Sequence, residues 1–273
     1  MQWLRFGWNG QTHFGAVQGD QVQLHTGDLF DAPTPTSTLV PLADITCQSP
    51  CVPRTLFALW NNFRAAAAKN NWAEPAEPLY FLKAANSFSA HLQPVVKPRS
   101  FAGRVLYEAE LGIVIGKRGK NITLHDAASH VFGYTCVNDV TALDVLRADS
   151  SFEQWTRAKS FDGFTPFGPF ITTGVSPEVV NTLSVRALVN GRERQNYPVS
   201  DMFFSPLQLV SLLSRDVTLE PGDVISCGTS LGAMPWSAGT KVDVVIEGIG
   251  HLTNTMEEDH GKHTETTRMK AAA

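Results

Sequence analysis

The stretch VLYEAELGIVIG, Val105 to Gly116, decides how the rest of the chain is read. Leu, Ile and Val dominate it and no proline interrupts it, which is strand sequence. Side chains on a strand alternate between faces, so Leu106, Glu108, Glu110, Gly112 and Val114 share one side and the two glutamates come roughly 6–7 Å apart. The same signal recurs in VFGYTCVND (131–139), FGPFITTG (167–174), SVRALVNGRERQNY (184–197), DVISCGTS (223–230) and KVDVVIEGIG (241–250). Asn190-Gly191 marks a hairpin turn inside the third of these.

Helical signals are few. NNFRAAAAKNNW (61–72) has four consecutive alanines and closes on paired asparagines, and SPLQLVSLLSR (205–215) is amphipathic. Thr123 is placed to cap a helix through LHDAASH (124–130), with Asp126 in its first turn. The expected class is mixed α+β, mainly β, with few short helices. GIVIGKRGK (112–120) departs from a phosphate loop in spacing and in carrying Arg118 where a Ser or Thr is needed, so it reads as strand and turn.

Upstream, WLRFGW, HFGAVQG and QVQLH are short strands separated by turns, giving a small β-rich unit over residues 1–52. DAPTPTSTLVP (31–41) reads as a connector, because Pro33 and Pro35 remove ladder donors and restrict the residues before them. The main domain then spans 53–257, with TLFALW (55–60) and PLYFLKA (78–84) as further strands. Residues 258–273 form a polar tail expected to be disordered; His260 and His263 in it are spaced for a metal but lack companion ligands.

Bulk properties narrow the function. At 273 residues and 43% apolar content the chain can bury a large core without staples. A net charge of −4 with dispersed Lys and Arg argues against a nucleic-acid partner. Cys47, Cys51, Cys136 and Cys227 form no CxxC pair and are expected to be reduced. No run approaches the roughly 18 apolar residues of a membrane span, and MQWLRFGWNG lacks the basic and apolar regions of a signal peptide. A cytoplasmic location without a membrane partner is the expectation.

The chemistry lies in the carboxylates. Two ionised glutamates on an otherwise apolar strand face repel and lose hydration, so they must take up a proton, find basic partners or share a cation. Asp139, at the end of the strand VFGYTCVND, supplies a third carboxylate, and oxygen ligands suit Mg²⁺, Mn²⁺ or Ca²⁺. Lys159, in RAKSFDGFTPFGP (157–169), can balance that charge or hold a substrate oxygen.

Taken together, YEAELGIVIG, GYTCVND, KSFDGFTPFGP and GTS resemble the fumarylacetoacetate hydrolase family, in order across residues 53–257. The N-terminal unit resembles the accessory domain of some members. The resemblance implies a β-sandwich or β-roll and a homodimer. It also implies metal ligation by Glu108, Glu110 and Asp139, and Lys159 as catalytic base or charge partner. Lys83 and Thr229 become substrate contacts by the same resemblance, and a small oxo acid becomes the substrate.

The lid differs from the family pattern. Hydrolytic members carry a His and a Glu three residues apart after an Asn-aromatic pair; here Asn62-Phe63 is followed by Ala66 and Lys69 at those positions. Arg64 could bind a carboxylate but stays protonated. The frequent Arg after the Asn-Asp motif is Leu143, and His91 is the nearest substitute base. The expected activity is metal-dependent C–C cleavage of a 2-oxo or 1,3-dioxo acid, such as an acylpyruvate or fumarylpyruvate of aromatic-compound catabolism, through a metal-stabilised enolate. Decarboxylation, isomerisation or hydration of a 2-oxo acid is the alternative because the lid pair is absent, and decarboxylation and isomerisation need no delivered water. A non-catalytic metabolite binder is the third reading.

Overall fold

The computed structural model describes residues 1–259, so the expectations for His260, His263 and most of the tail lie outside the described residues. Four strands open the chain: β1 (Gln2–Trp8), β2 (Gln11–Gln18), β3 (Gln21–Asp28) and β4 (Asp31–Pro41). They are followed by β5 (Leu56–Trp60), helix α1 (Arg64–Asn70), β6 (Leu79–Lys83), β7 (Ala109–Ile115) and β8 (Val131–Asn138). Two short helices, α2 (Leu143–Leu146) and α3 (Trp155–Lys159), precede β9 (Thr165–Thr172). Further on come β10 (Ser184–Val189), β11 (Arg192–Pro198), α4 (Pro206–Asp216), β12 (Val224–Ser226), β13 (Lys241–Ile246) and β14 (Gly250–Glu258).

The larger sheet runs β4-β3-β2-β1-β9-β8-β7-β12-β5-β6, and the smaller runs β11-β10-β13-β14 with Val95–Lys97 at its edge. The main core is filled from both sheets: Leu111 and Ile113 of β7 and Tyr134 and Cys136 of β8 meet Val185, Ala187, Val244, Ile246 and Leu252. Each fully buried aliphatic side chain of this kind contributes roughly 1.5–3 kcal/mol. Val114, Val137, Phe167 and Val224 pack on the opposite face of the larger sheet with Trp3 and Ala16. The expected mainly-β mixed class is therefore the observed one, as two packed sheets with short helices.

Three local expectations are corrected. The proline-rich stretch is no connector but strand β4, paired with β3 through Val22↔Val40 and His25↔Pro35. It lies at the edge of the sheet, where a proline's missing donor leaves no neighbour unsatisfied. LHDAASH forms a turn and a four-residue 3₁₀ helix, Ala127–His130, rather than an α-helix. Thr123 still holds the entry, its Oγ1 accepting from the Asp126 N–H at 3.2 Å and donating to Asp126 Oδ2 at 2.8 Å. Thr123 and Asp126 thus satisfy one another in a closed turn, which competes with a continuing helix.

The third correction concerns the deciding stretch itself. Val105–Leu106 pairs with Thr141–Ala142, and β7 begins only at Ala109, so Tyr107 and Glu108 form a break rather than part of one strand. At that break the Glu108 N–H donates to Asn138 Oδ1 at 3.0 Å and the Asp139 N–H donates to Glu108 O at 2.9 Å. The break directs the chain around the Asn138-Asp139 corner. No helix among the described residues is long and apolar enough to cross a membrane.

Candidate metal centre

Three strand ends converge on one point. Glu110 lies at the start of β7, Asp139 immediately follows β8, and Gly228 lies two residues beyond β12. Antiparallel pairing of Ala109 with Asn138 and of Gly112 with Ser226 fixes this convergence. Along β7, Leu111, Ile113 and Ile115 enter the inter-sheet core, so alternation sends Glu110 to the other side with Gly112 and Val114. One carboxylate oxygen from each of Glu108, Glu110 and Asp139 lies within 4.8 Å of the other two.

The three carboxylates have unequal surroundings. Glu108 borders an open cavity, whereas Glu110 and Asp139 are 0% and 1% exposed. Lys159 Nζ donates to Glu108 Oε2 at 2.8 Å and to Asp139 Oδ2 at 2.6 Å. Lys83 Nζ donates to Asp139 Oδ1 at 2.5 Å and to Phe164 O at 3.1 Å. Thr141 Oγ1 donates to Glu108 Oε1 at 2.6 Å, while Ser226 Oγ and the Gly228 N–H donate to Glu110 Oε2 at 2.5 and 2.8 Å. The sixth oxygen, Glu110 Oε1, is buried and has no partner.

Charge follows the same pattern. Burial, reinforced by the charges of Asp139 and Glu108, pushes the Glu110 carboxyl well above the usual carboxylate range. Burial also acts to raise Asp139, but Lys159 and Lys83 outweigh it and hold that carboxyl below its ordinary value. For Lys159, burial would favour the neutral amine; Asp139 and Glu108 prevail and raise its pKa. For Lys83, burial dominates and lowers it. Two ammonium groups cannot neutralise three ionised carboxylates, so ionisation of Glu110, whose Oε1 lacks a donor, would leave one negative charge unmatched. An all-oxygen donor set with one unmatched negative charge and one orphaned acceptor fits a hard divalent cation.

The cluster opens onto a cavity of about 1200 Å³. Glu108, Lys159, Thr229 and, from α1, Ala66 and Lys69 line it. Thr229 Oγ1 donates to Ala109 O at 2.9 Å and accepts from Gln195 Nε2 at 2.9 Å. Gly228 makes this corner possible: its φ of +89° is left-handed, and a Cβ there would meet Leu59 O at 3.1 Å.

Three other residues singled out in the sequence, Lys83, Arg64 and His91, do not line the cavity. Lys83 is buried on the cluster, paired with Asp139, and does not line the cavity. Arg64 turns away, donating to Met202 O and lying 5.0 Å from the Phe203 ring centroid. His91 is also absent from the cavity wall; its Nδ1 accepts the Thr253 N–H at 3.0 Å. In both cases a local acceptor or donor fixes the side chain away from the carboxylates.

Several supporting residues were not legible from spacing. Gln195, on β11 of the other sheet, accepts the Ala109 N–H at 3.0 Å, and only the packing of the two sheets brings it there. Ser226 reaches Glu110 through the β7·β12 pairing. Thr141 did carry a signal, since it stands two residues after Asp139 in the same corner. Glu153, another cavity-lining carboxylate, accepts the Trp155 indole N–H at 2.8 Å.

Comparison with known proteins agrees with this architecture. The family model described as fumarylacetoacetate (FAA) hydrolase C-terminal matches residues 55–257, and one described as Rv2993c-like, N-terminal matches residues 1–48. A 4-hydroxyphenylacetate degradation bifunctional isomerase/decarboxylase of Salmonella dublin is 39% identical over 73% of this chain and 46% of that protein. The solved 5-carboxymethyl-2-hydroxymuconate delta-isomerase of Mycobacterium smegmatis is 33% identical with a TM-score of 0.86, covering 94% of this chain and all (100%) of that one. A maleylpyruvate hydrolase from a Sphingobium species, solved with manganese(II) and pyruvate, is 25% identical with a TM-score of 0.77, covering 94% of this chain and 99% of that one.

Proposed function

The chain belongs to the fumarylacetoacetate hydrolase family, and from that premise we propose that it is a divalent-cation-dependent enzyme that isomerises or decarboxylates a small 2-oxo acid. The observation that carries this reading is the contrast across the cavity. On one side stand three carboxylates with an unpartnered oxygen at Glu110; on the other, α1 presents Ala66 and Lys69 and no water-activating pair.

Glu108, Glu110 and Asp139 would hold the cation, with Mg²⁺ as first choice and Mn²⁺ or Ca²⁺ as alternatives suited to the same oxygens. When bound, such an ion supplies Lewis-acid polarisation of the oxo acid and offsets the negative charge that develops on it. Lys159 keeps its proton between Glu108 and Asp139, so it serves better as a cationic contact or proton donor for a substrate oxygen than as a base. Thr229 forms the neighbouring wall as a substrate contact, its hydroxyl oriented by Ala109 O and Gln195. Trp60, Trp72 and Trp155 line the same cavity and give it an aromatic wall. Isomerisation and decarboxylation need a proton moved at that carbon, not an added water.

Hydrolysis of an acylpyruvate is the second reading, favoured by Glu153, a carboxylate on the cavity wall that could activate water. Incubation with oxaloacetate and with acetylpyruvate, each with Mg²⁺ or with EDTA, separates the two. Metal-dependent carbon dioxide release or tautomer exchange supports the first reading. Acid-producing cleavage of acetylpyruvate that is lost in Glu153→Gln supports the second. No metal-dependent turnover across a broad 2-oxo acid panel would defeat both. A homodimer remains the assembly we propose, to be checked by light scattering in solution.

A further inference from the structure

A second cavity lies away from the carboxylate cluster, and no residue lines both it and the larger one. Its volume of about 430 Å³ is within the roughly 300–1,000 Å³ of small-molecule sites. Leu124, Pro177, Val180, Pro206 and Leu207 give it apolar walls, and no charged side chain lines it. Tyr134, on β8, stands at the same wall and is only 3% exposed. Its hydroxyl has no hydrogen-bond partner among the described residues, and it is not enclosed by protein, so it opens on the cavity that Tyr134 lines. Burial pushes the Tyr134 phenol up to about 12, which keeps it protonated and able to donate.

The first turn of α4 supplies a second donor. A capping box pairs Ser205 with Gln208, the Ser205 N–H donating to Gln208 Oε1 at 2.8 Å. The Leu209 N–H donates to Ser205 O at 2.9 Å, and Pro206 has no N–H. The Leu207 N–H is left without an acceptor among the described residues. No acidic residue stands in that first turn, so the positive end of this eleven-residue helix is uncompensated. A buried phenol and a helix N–H both call for an acceptor, and an anion suits the helix end. Water could answer the donors but would leave the apolar walls wet; an acid with an apolar body answers both.

We propose that this cavity is a second ligand site, taking a small monocarboxylic acid whose carboxylate accepts from the Tyr134 hydroxyl and the Leu207 N–H and whose apolar body lies against Leu124, Pro177 and Val180. Asn181 adds an exposed amide at the same wall. A second carboxylate or a cation would find no counter-charge there, which separates this site from the carboxylate-lined cavity. The assignment stands apart from the reading given under Proposed function and is tested without a divalent cation.

The test titrates the full-length protein with 3-phenylpropanoate and with 3-phenylpropan-1-ol, which share an apolar body and differ in the head group. Binding is read from the amide resonances of Leu207 and Val180 in ¹⁵N-labelled protein, which locate it as well as measure it. The acid is expected to shift both amides and to bind about tenfold or more tightly than the alcohol. Tyr134→Phe keeps the ring and removes the donor, so the acid should bind about tenfold more weakly to it. Leu124→Glu, at a position 53% exposed, sets a carboxylate at the rim and should weaken the acid while sparing the alcohol. Shifts confined to Thr229 and its neighbours, or none at Leu207 and Val180, overturn the assignment. Equal affinity for acid and alcohol overturns it too, as does undiminished affinity for the acid in either variant when its circular dichroism matches wild type.

Discussion

Glu110 Oε1 is a buried acceptor with no donor, on a carboxyl that burial and two neighbouring carboxylates already hold away from ionisation. An unsatisfied buried group of this kind works against folding unless something occupies the space beside it. A proton relieves the charge; a divalent cation relieves the charge and also draws Glu108 and Asp139 to the same point. Glu110→Gln keeps the shape and removes the charge, so the variant should lose the thermal stabilisation that Mg²⁺ gives the wild type. At a hundredfold excess over Kd that stabilisation is about 2.7 kcal/mol. In EDTA the variant should be at least as stable as wild type, because folding no longer has to hold a buried carboxyl away from ionisation. Melting curves with Mg²⁺ and with EDTA decide it, and an undiminished Mg²⁺-induced shift in the variant would remove Glu110 from the site.

The strands deliver these residues, and their tolerance is narrow. Gly112 lies two positions beyond Glu110 on β7, and a Cβ there would meet Val137 Cγ2 at 2.8 Å and Thr135 Cγ2 at 2.9 Å. Both are packed on β8, the strand that ends at Asp139. Gly112→Ala should therefore destabilise by about 1–3 kcal/mol and weaken cation binding by displacing β7 from β8. Urea denaturation and a metal titration measure both effects; an unchanged midpoint would show slack between these strands. The apolar strands β7, β8, β12 and β13 were legible because burial leaves a direct mark on composition. β4 was not, since an edge strand can carry prolines that read as punctuation. The break at Tyr107-Glu108 was hidden because an apolar tyrosine continues the alternation while the backbone turns. The carboxylate cluster was legible as three acidic residues in apolar settings. Its supports were not, because Gln195 and Ser226 arrive through sheet packing and strand register, which spacing along the chain does not encode. Arg64 and His91 point away from the cavity for the complementary reason: residue type told what each could bind, and nothing local told which way it pointed.

At the scale of the whole molecule, β1–β4 continue the larger sheet. β1 pairs with β9 through Gln2↔Thr172, Trp3↔Ile171 and Leu4↔Phe170. Trp3 joins Val114, Val137 and Phe167 in one buried cluster and lies near Phe132, with ring centroids 6.4 Å apart. These strands also hold a small core of their own, Leu4, Phe6, Val22 and Val40. Two behaviours are then conceivable: the N-terminal strands melt by themselves, or they unfold with the sheet that carries Glu110 and Asp139. Shared backbone pairing and the Trp3 cluster favour the second, because opening β1 exposes the edge of β9 and one wall of the cluster behind β7 and β8. Trp3→Ala should therefore lower global stability by about 3–5 kcal/mol rather than loosen β1–β4 alone. Far-ultraviolet circular dichroism and loss of cation binding, followed through the same denaturant series, are expected to give coincident transitions in wild type and variant alike. A separate early transition in circular dichroism with cation binding intact would show instead that the N-terminal strands form an independent cooperative unit and that the carboxylate cluster does not depend on them.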